Sequence, residues 1–143
     1  MPTLRRLTAL DYDDVVDLWI RSGLDSVRPA GRDSREAFAR QLEGGQIVVG
    51  LEVEGRLAGA IVATHDTRKG WLNRLAVDPA HRRKGYATLL HRAAEHELRK
   101  LGLRIFAALV ESENASSLAL LRKEGYLVSE SILYLTRRDS TDV

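Results

Sequence analysis

The clearest functional pattern in the sequence lies between positions 75 and 87, which read LAVDPAHRRKGYA. An apolar run is followed by a turn with proline, a basic stretch, a glycine and the start of an amphipathic pattern. This order indicates a strand, a loop and the beginning of a helix. The first amides of a helix have no acceptors within the helix, and the helix dipole makes that end positive. The segment therefore predicts a binding site for a phosphate-like anion.

Small and basic residues in this loop favour the same chemistry. Gly85 and Ala87 leave room for an anion to approach the main chain, while Arg82, Arg83 and Lys84 place positive charge beside it. A solvated basic turn that only begins a helix is the alternative for this segment taken alone. A nucleic-acid-binding domain is a further hypothesis, although no series of aromatic residues for stacking on bases accompanies the three charges.

The surrounding sequence predicts the elements that hold this loop. Apolar residues at helical spacing predict helices over residues 11–21, 34–42 and 85–101. Strands are predicted over residues 4–7, 47–53, 57–64, 71–77 and 105–110, and the runs 47–53 and 57–64 are rich in residues typical of strands. Glu54 and Gly55 suit a two-residue hairpin turn. The strands from 47 to 77 therefore suggest an antiparallel meander, and the crossover from 71–77 through a helix to 105–110 favours a parallel pair.

The C-terminal part predicts one more helix and two short strands. Asn114 suits the N-cap of a helix that Gly125 ends in a left-handed conformation. The closing strands are predicted near residues 126–128 and 132–136.

Two segments of the chain resemble motifs of the GNAT superfamily of N-acetyltransferases. The pattern V-D-P-x-x-R-R-x-G-Y-A, which begins at Val77, is similar to motif A, whose loop reads Q/R-x-x-G-x-G/A. A second segment resembles motif B, in which an asparagine opens a helix and a Gly-aromatic pair closes it: Leu109-Val110, Asn114, Ala119-Leu120-Leu121 and Gly125-Tyr126. The predicted elements follow the family's order over nearly the whole chain, which also resembles small bacterial members of a YpeA-like subgroup.

The resemblance implies a fold class and a donor. The expected fold is α/β, with a mixed, mostly antiparallel sheet of six or seven strands that is splayed at the CoA slot and has helices on both faces. One N-acetyltransferase domain would span residues 1–143. Acetyl-CoA would be the acyl donor, and no metal is expected.

The resemblance also implies which residues contact the donor. Backbone groups of Leu75, Ala76 and Val77 would hydrogen-bond the pantetheine arm. Asn114 would touch the pantetheine or thioester end, and Arg82 would lie beside the phosphates. The pyrophosphate would be wrapped by Arg83, Lys84, Gly85, Tyr86, Ala87 and Thr88.

The positions that handle protons in many relatives are apolar in this chain. The resemblance places a glutamate base at Leu109, another common base at Trp71, and the tyrosine that protonates the leaving thiolate at Leu121. The catalytic residues are therefore unassigned. Candidate substitutes are Asn73, Glu111 and Tyr134, together with Glu113 and His65.

Composition limits the other classes of function. The 143 residues, 44% of them hydrophobic, suit one domain with a substantial core. A net charge of +2 gives no general field for attracting nucleic acid, and the lack of cysteine excludes disulfides, thiolate metal sites and a cysteine nucleophile. His91 and His96 are one residue too far apart for an H-x-x-E-H zinc helix.

The leading hypothesis is an acyl-CoA-dependent N-acyltransferase that moves an acetyl group to a primary amine by direct attack. The acceptor would be a small molecule, a peptide or a protein, and Arg28, Arg32 and Arg35 could select an acidic one. The alternative, motivated by Leu109 and Leu121, is a catalytically weak or inactive CoA-binding sensor or regulatory module. No stretch approaches the about 20 apolar residues of a membrane span. We therefore expect a cytoplasmic protein without a nucleic-acid or membrane partner, and leave a homodimer open.

Overall fold

The computed structural model describes residues 1–141 and residue 143. These residues form two compact units, Met1–Ala108 and Leu109–Val143. The single domain expected over residues 1–143 stays a prediction.

A five-stranded sheet forms the centre of the first unit, in the order β1-β2-β3-β4-β5. The strands are β1 (Thr3–Arg6), β2 (Ile47–Val53), β3 (Arg56–His65), β4 (Gly70–Val77) and β5 (Phe106–Ala107). Neighbours among the first four strands are antiparallel, and β5 is parallel to β4. The predicted mixed, mostly antiparallel sheet is therefore confirmed. Glu54 and Gly55 form the predicted turn, both with the positive φ that a two-residue hairpin requires.

Three helices of the first unit lie close to their predicted positions. They are α1 (Tyr12–Arg21), α2 (Arg35–Glu43) and α3 (Tyr86–Lys100). Short 3-10 turns, Ala9–Asp11 and Pro79–His81, precede α1 and follow β4. In the second unit, α4 (Ala115–Lys123) is the helix predicted after Asn114. The Asn114 side chain accepts a hydrogen bond from the Ser117 amide at 3.2 Å, and Gly125 has φ +94°, so both predicted caps of α4 are confirmed.

Both faces of the sheet are covered by helices. A buried cluster on the α1 side joins α1 and α2 to the sheet through Leu7, Tyr12, Val15, Leu18, Trp19, Phe38, Val48, Ala60, Val62 and Ala76. On the α3 side, Leu90 and Leu98 pack where Gly59 and Gly70 have no side chain. A Cβ at Gly70 would lie 2.5 Å from Leu98 Cδ1, so glycine permits the close approach of α3 to β4. The two covered faces explain why β2 and β3 read as almost continuous apolar runs.

The prediction of six or seven strands is wrong in number. Residues 126–128 and 132–136 form no strand, and β5 has two residues instead of the six predicted over 105–110. The apolar side chains of the C-terminal segment are exposed, for example Leu133 at 79% and Leu135 at 84%. A strand exists only where a neighbouring strand supplies hydrogen bonds and packing, and alternation of residue types does not by itself provide that neighbour.

No helix in the described part of the chain combines the length and the apolar character needed to cross a membrane. The same residues contain no group of three or more His, Asp or Glu side chains that could hold a metal ion.

Candidate functional site

The loop between β4 and α3 begins with a capped turn. The Asp78 carboxylate accepts a hydrogen bond from the Ala80 amide at 2.9 Å and one from Arg21 Nε of α1 at 3.0 Å. The hydrogen bond from the Ala80 amide, and to a smaller extent the one from Arg21, holds the pKa of Asp78 below its ordinary value, because both favour the charged carboxylate. The start of the loop is therefore fixed to α1 as well as to its own backbone.

Asp78→Ala is expected to lower the free energy of unfolding by about 1 kcal/mol at pH 7, the usual value of such a cap. Because the pKa of Asp78 is lower in the folded state, its stabilisation is fully present above about pH 4 and is lost as the pH falls through the folded pKa. Urea unfolding of wild type and Asp78→Ala should therefore show a difference in the free energy of unfolding that becomes smaller below pH 4. If this difference in free energy stays the same at every pH, the carboxylate charge is not its cause.

The predicted anion-binding segment has the backbone that such a site requires. Gly85 is the N-cap of α3 and has φ +80°, and Arg83 also has a positive φ of +65°. A Cβ built on Gly85 would meet no atom within 4 Å, so the space in front of the helix is open. Among the described residues, the amides of Tyr86, Ala87 and Thr88 donate to no acceptor. These residues fit a phosphate group, which would satisfy donors that α3 leaves free.

The basic side chains of this loop differ in what they contact. Arg82 donates to the carbonyl of Ser22 at 3.1 Å and approaches that of Val77 at 3.4 Å. Lys84 Nζ lies 3.3 Å from His81 Nδ1. Arg82 therefore links the loop to the residue that follows α1, and its place beside phosphates stays a prediction.

An irregularity in β4 and the open edge of the sheet lie next to this loop. One residue of β3, Ile61, faces two residues of β4, Arg74 and Leu75. Arg74 has φ +50°, a left-handed backbone of the kind found in β-bulges. Strand β5 pairs with β4 only at Gly70 and Trp71, and the rest of that edge has no strand partner among the described residues. The sheet is thus open where backbone contacts to a pantetheine arm are predicted.

The candidate catalytic residues are distributed over both units. Asn73 is half-buried on β4, opposite Val62. Glu111 and Glu113 are exposed residues of the second unit, and Tyr134 is 70% exposed outside any strand, so its predicted place on a last strand is wrong. The catalytic roles of Asn73, Glu111 and Tyr134 stay predictions.

Two further positions considered for proton transfer have specific surroundings. His65 Nδ1 accepts a hydrogen bond from the Thr67 amide at 3.0 Å, which places the proton of the neutral ring on Nε2. Trp71 is half-buried, with Lys69 Nζ 5.4 Å from its ring centroid.

The remaining motif positions lie in the second unit. Leu121 is buried on α4, as suits an apolar residue of a helix, whereas Leu109 is 57% exposed. The contact of Asn114 with the pantetheine or thioester end stays a prediction, beside its observed role as the cap of α4.

A partly buried ion pair near the bulge was not predicted from the sequence. Arg74 Nη1 and Nη2 bind the two carboxylate oxygens of Asp33 at 2.7 and 3.1 Å. The two residues are 41 positions apart: Asp33 lies between the predicted helices 11–21 and 34–42, and Arg74 lies inside the predicted strand 71–77. The positive φ of Arg74 has no signal in the residue type, because arginine rarely adopts that conformation.

Comparisons with known proteins agree with this geometry. Residues 12–126 match the model of a family described as the acetyltransferase (GNAT) family. An acetyltransferase from Sodalis glossinidius is 26% identical over 128 residues, which are 90% of this chain and 89% of the relative. An aminoglycoside N(6')-acetyltransferase type 1 from Acinetobacter haemolyticus is 29% identical over 124 residues, 85% of each chain. The PaiA N-acetyltransferase of Thermoplasma acidophilum, solved in complex with coenzyme A, has a TM-score of 0.78 at 20% identity and covers 90% of this chain and 91% of its own.

The chain therefore belongs to the GNAT family of acetyltransferases. The predicted resemblance, the fold class and the assignment as an acetyltransferase enzyme are confirmed. The alternative of a binding module without catalysis gains no support from these relatives.

Proposed function

We propose that this protein transfers an acetyl group from acetyl-CoA to a primary amine, acting as one domain over residues 1–143. The observation that carries the proposal is the start of α3, where a left-handed Gly85 faces open space and three successive amides lack acceptors among the described residues. Such a site suits the diphosphate of CoA. The PaiA structure, which contains coenzyme A, supports the same donor.

The donor would lie along β4 and the loop that follows it. Leu75, Ala76 and Val77 lie on the stretch of β4 that β5 leaves unpaired, and their backbone groups would hold the pantetheine arm. Asn114 would contact the pantetheine or thioester end. The diphosphate would be bound by Arg82, Arg83, Lys84, Gly85, Tyr86, Ala87 and Thr88.

The reaction needs no covalent bond to the protein. The neutral amine nitrogen attacks the thioester carbonyl carbon, the C–S bond breaks, and an amide and the CoA thiolate form. The nitrogen loses one proton to water and the thiolate takes up one proton, so charge and atoms balance. Holding the two reactants together and donating hydrogen bonds to the carbonyl oxygen supplies the catalysis.

The acceptor is a primary amine of a small molecule, a peptide or a protein. The relative from Acinetobacter haemolyticus, named for an aminoglycoside, is consistent with a small-molecule amine. The guanidinium groups of Arg28 and Arg32 bind carbonyls of their own loop and Arg35 binds Asp13, so these three arginines are less available to an acidic acceptor than the sequence suggested.

CoA is expected to raise the melting temperature. A ligand at about 100 times its Kd stabilises the native state by about 2.7 kcal/mol, which corresponds to several degrees for a chain of this size. Differential scanning fluorimetry with CoA measures the shift. Pantetheine at the same concentration, which lacks the diphosphate, is the control and should shift the melting temperature much less. Equal shifts, or none with CoA, would contradict the assigned donor site.

Thiol release from acetyl-CoA tests the activity itself. The assay uses three acceptors: an alanine-initiated peptide without lysine, an N-terminally blocked peptide with one lysine, and the aminoglycoside neamine. Amine-dependent release with formation of the acetylated product is expected for at least one of them. Binding of CoA without any acetyl transfer would instead support a sensor or regulatory module.

A further inference from the structure

The loop between α1 and α2, residues 22–34, is held at both ends by arginines, Arg82 and Arg74. At its first residue, the Ser22 carbonyl accepts from Arg82. Near its end, Asp33 binds Arg74. Arg74 immediately precedes Leu75, and Arg82 lies in the loop after β4, so the two arginines flank the stretch proposed to hold pantetheine.

The contact at Asp33 is the more extensive of the two. Asp33 is only 6% exposed, and Arg74 binds both of its carboxylate oxygens. The Arg28 amide donates to the same carboxylate at 2.8 Å. The Tyr12 hydroxyl of α1 donates to the Asp33 carbonyl at 2.5 Å. Asp33 thus joins the loop to β4 and α1, whereas Arg82 and Ser22 share one hydrogen bond between exposed groups.

Arg74 reaches Asp33 because of its unusual backbone. The bulge in β4 and the left-handed φ at Arg74 accompany a side chain that crosses the α1 side of the sheet. Its Cζ lies 4.6 Å from the ring centroid of Trp19. A strained non-glycine residue persists only where its surroundings hold it, and such residues occur often at functional sites.

The same cluster also contains an unsatisfied donor. Trp19 is 2% exposed, and its Nε1 has no hydrogen-bond partner among the described residues. Buried indole N–H groups usually find a partner. The cluster of Trp19, Arg74 and Asp33 therefore contains one buried hydrogen-bond donor without a partner among the described residues.

Hydrogen bonds within the 22–34 loop stabilise it, and its contacts with the rest of the protein determine where it lies. Arg28 Nη1 donates to the Asp25 carbonyl at 2.8 Å, and Arg32 Nη2 donates to the Ser26 carbonyl at 2.7 Å. The Asp33 amide donates to the Arg28 carbonyl at 3.0 Å. The contact of Asp33 with Arg74 attaches this loop to β4, so its loss should loosen the loop around Asp33.

We propose that Arg74 is a positioning residue for the amine acceptor. By binding Asp33, it holds the 22–34 loop against the α1 side of β4, beside the bulge next to Leu75, where the thioester end of the donor would lie. The loop then forms one wall of the acceptor site, and Arg74 fixes its distance from the donor without touching the reacting atoms. This inference rests on the proposed function.

Steady-state kinetics of Arg74→Met, Arg74→Lys and Asp33→Asn test the role. The acceptor is whichever of the alanine-initiated peptide, the blocked lysine peptide and neamine the wild type acetylates fastest. Arg74→Met and Asp33→Asn should raise the KM for that amine by about tenfold or more, while kcat and the KM for acetyl-CoA stay within about threefold. Arg74→Lys should fall between wild type and Arg74→Met, because an ammonium keeps the charge but cannot bind both oxygens as a planar fork.

The matched control is Arg5→Met at the other edge of the sheet. Arg5 also binds two carboxylates, those of Asp11 and Glu52, but it lies on β1. Its loss should leave both KM values and kcat unchanged. Hydrogen exchange supplies a second measurement: the Arg28 amide, bonded to Asp33, should exchange faster in Arg74→Met than in wild type or Arg5→Met, while the amides of α3 stay equally protected.

The outcomes separate this inference from the proposed function. If wild type transfers acetyl groups and Arg74→Met leaves the acceptor KM unchanged, or raises the acetyl-CoA KM equally, the positioning role is wrong and the transferase stands. If wild type acetylates none of the three amines, the proposed function fails and the role of Arg74 fails with it. Equal effects of Arg74→Met and Arg5→Met would show a general loss of stability and would also overturn the role.

Discussion

Gly85→Val is expected to weaken CoA binding by about 100-fold. Gly85 has φ +80°, a conformation that costs other residues about 1–2 kcal/mol. With valine at this position the loop would adopt a different backbone conformation, and CoA binding would have to restore the original one. The branched side chain would also occupy the open space before the first amides of α3. Together these effects come to about 3 kcal/mol, and each 1.4 kcal/mol is a factor of ten in Kd. Isothermal titration calorimetry with CoA measures the change.

Two variants provide controls for this experiment. Gly102→Val places the same side chain at φ +88°, also without atoms within 4 Å of the Cβ, at the other end of α3. It imposes a similar backbone strain and should leave the Kd for CoA unchanged. Lys84→Ala removes one exposed charge, worth about 0.3–1 kcal/mol at a helix end, and should weaken binding by at most about fivefold. A larger effect of Lys84→Ala than of Gly85→Val, with both variants folded, would refute a site built mainly from backbone.

At pH 7, an α-amine acceptor is expected to react about 100-fold faster than a lysine amine, compared as kcat/KM for matched peptides. Only about one lysine amine in a thousand is neutral at this pH, whereas about a tenth of α-amines are. The usual positions of the base and acid are occupied by Leu109, Trp71 and Leu121, which cannot take up or supply a proton. Without a strong proton acceptor in the protein, the neutral fraction of the amine itself should limit the rate, and water would carry the proton away.

The pH dependence of kcat/KM between pH 6 and 9 measures this preference. For each peptide, the rate should climb toward the pKa of its own amine. A plateau at pH 6–7 that disappears in Glu111→Gln, Glu113→Gln or His65→Gln would contradict the idea and identify the enzyme base. His65 Nδ1 already accepts a hydrogen bond from the Thr67 amide, so His65 could act as a base only if that hydrogen bond were broken.

The elements that could be predicted from the sequence depend on neighbours along the chain. The period of apolar residues in α3, the Glu54-Gly55 turn and the caps at Asn114 and Gly125 are local signals, and the structure contains each of them. The two closing strands were predicted with the same kind of signal and are wrong. A helix finds its hydrogen-bond partners within its own segment, whereas a strand needs a partner strand that its own sequence does not specify.

The candidate site divides in the same way. The candidate anion-binding segment could be predicted from the sequence, because the glycine, the basic residues and the first amides of α3 are consecutive, and a left-handed glycine before a helix arranges them without help from elsewhere. Only the tertiary structure decided that Arg74 leaves the regular strand, lies against Trp19 and binds Asp33, 41 residues away. The physical reason is that strand register and burial create this contact: a bulge between β3 and β4 accompanies the redirected side chain, and a carboxylate that is 6% exposed requires a charged partner that the distant strand provides.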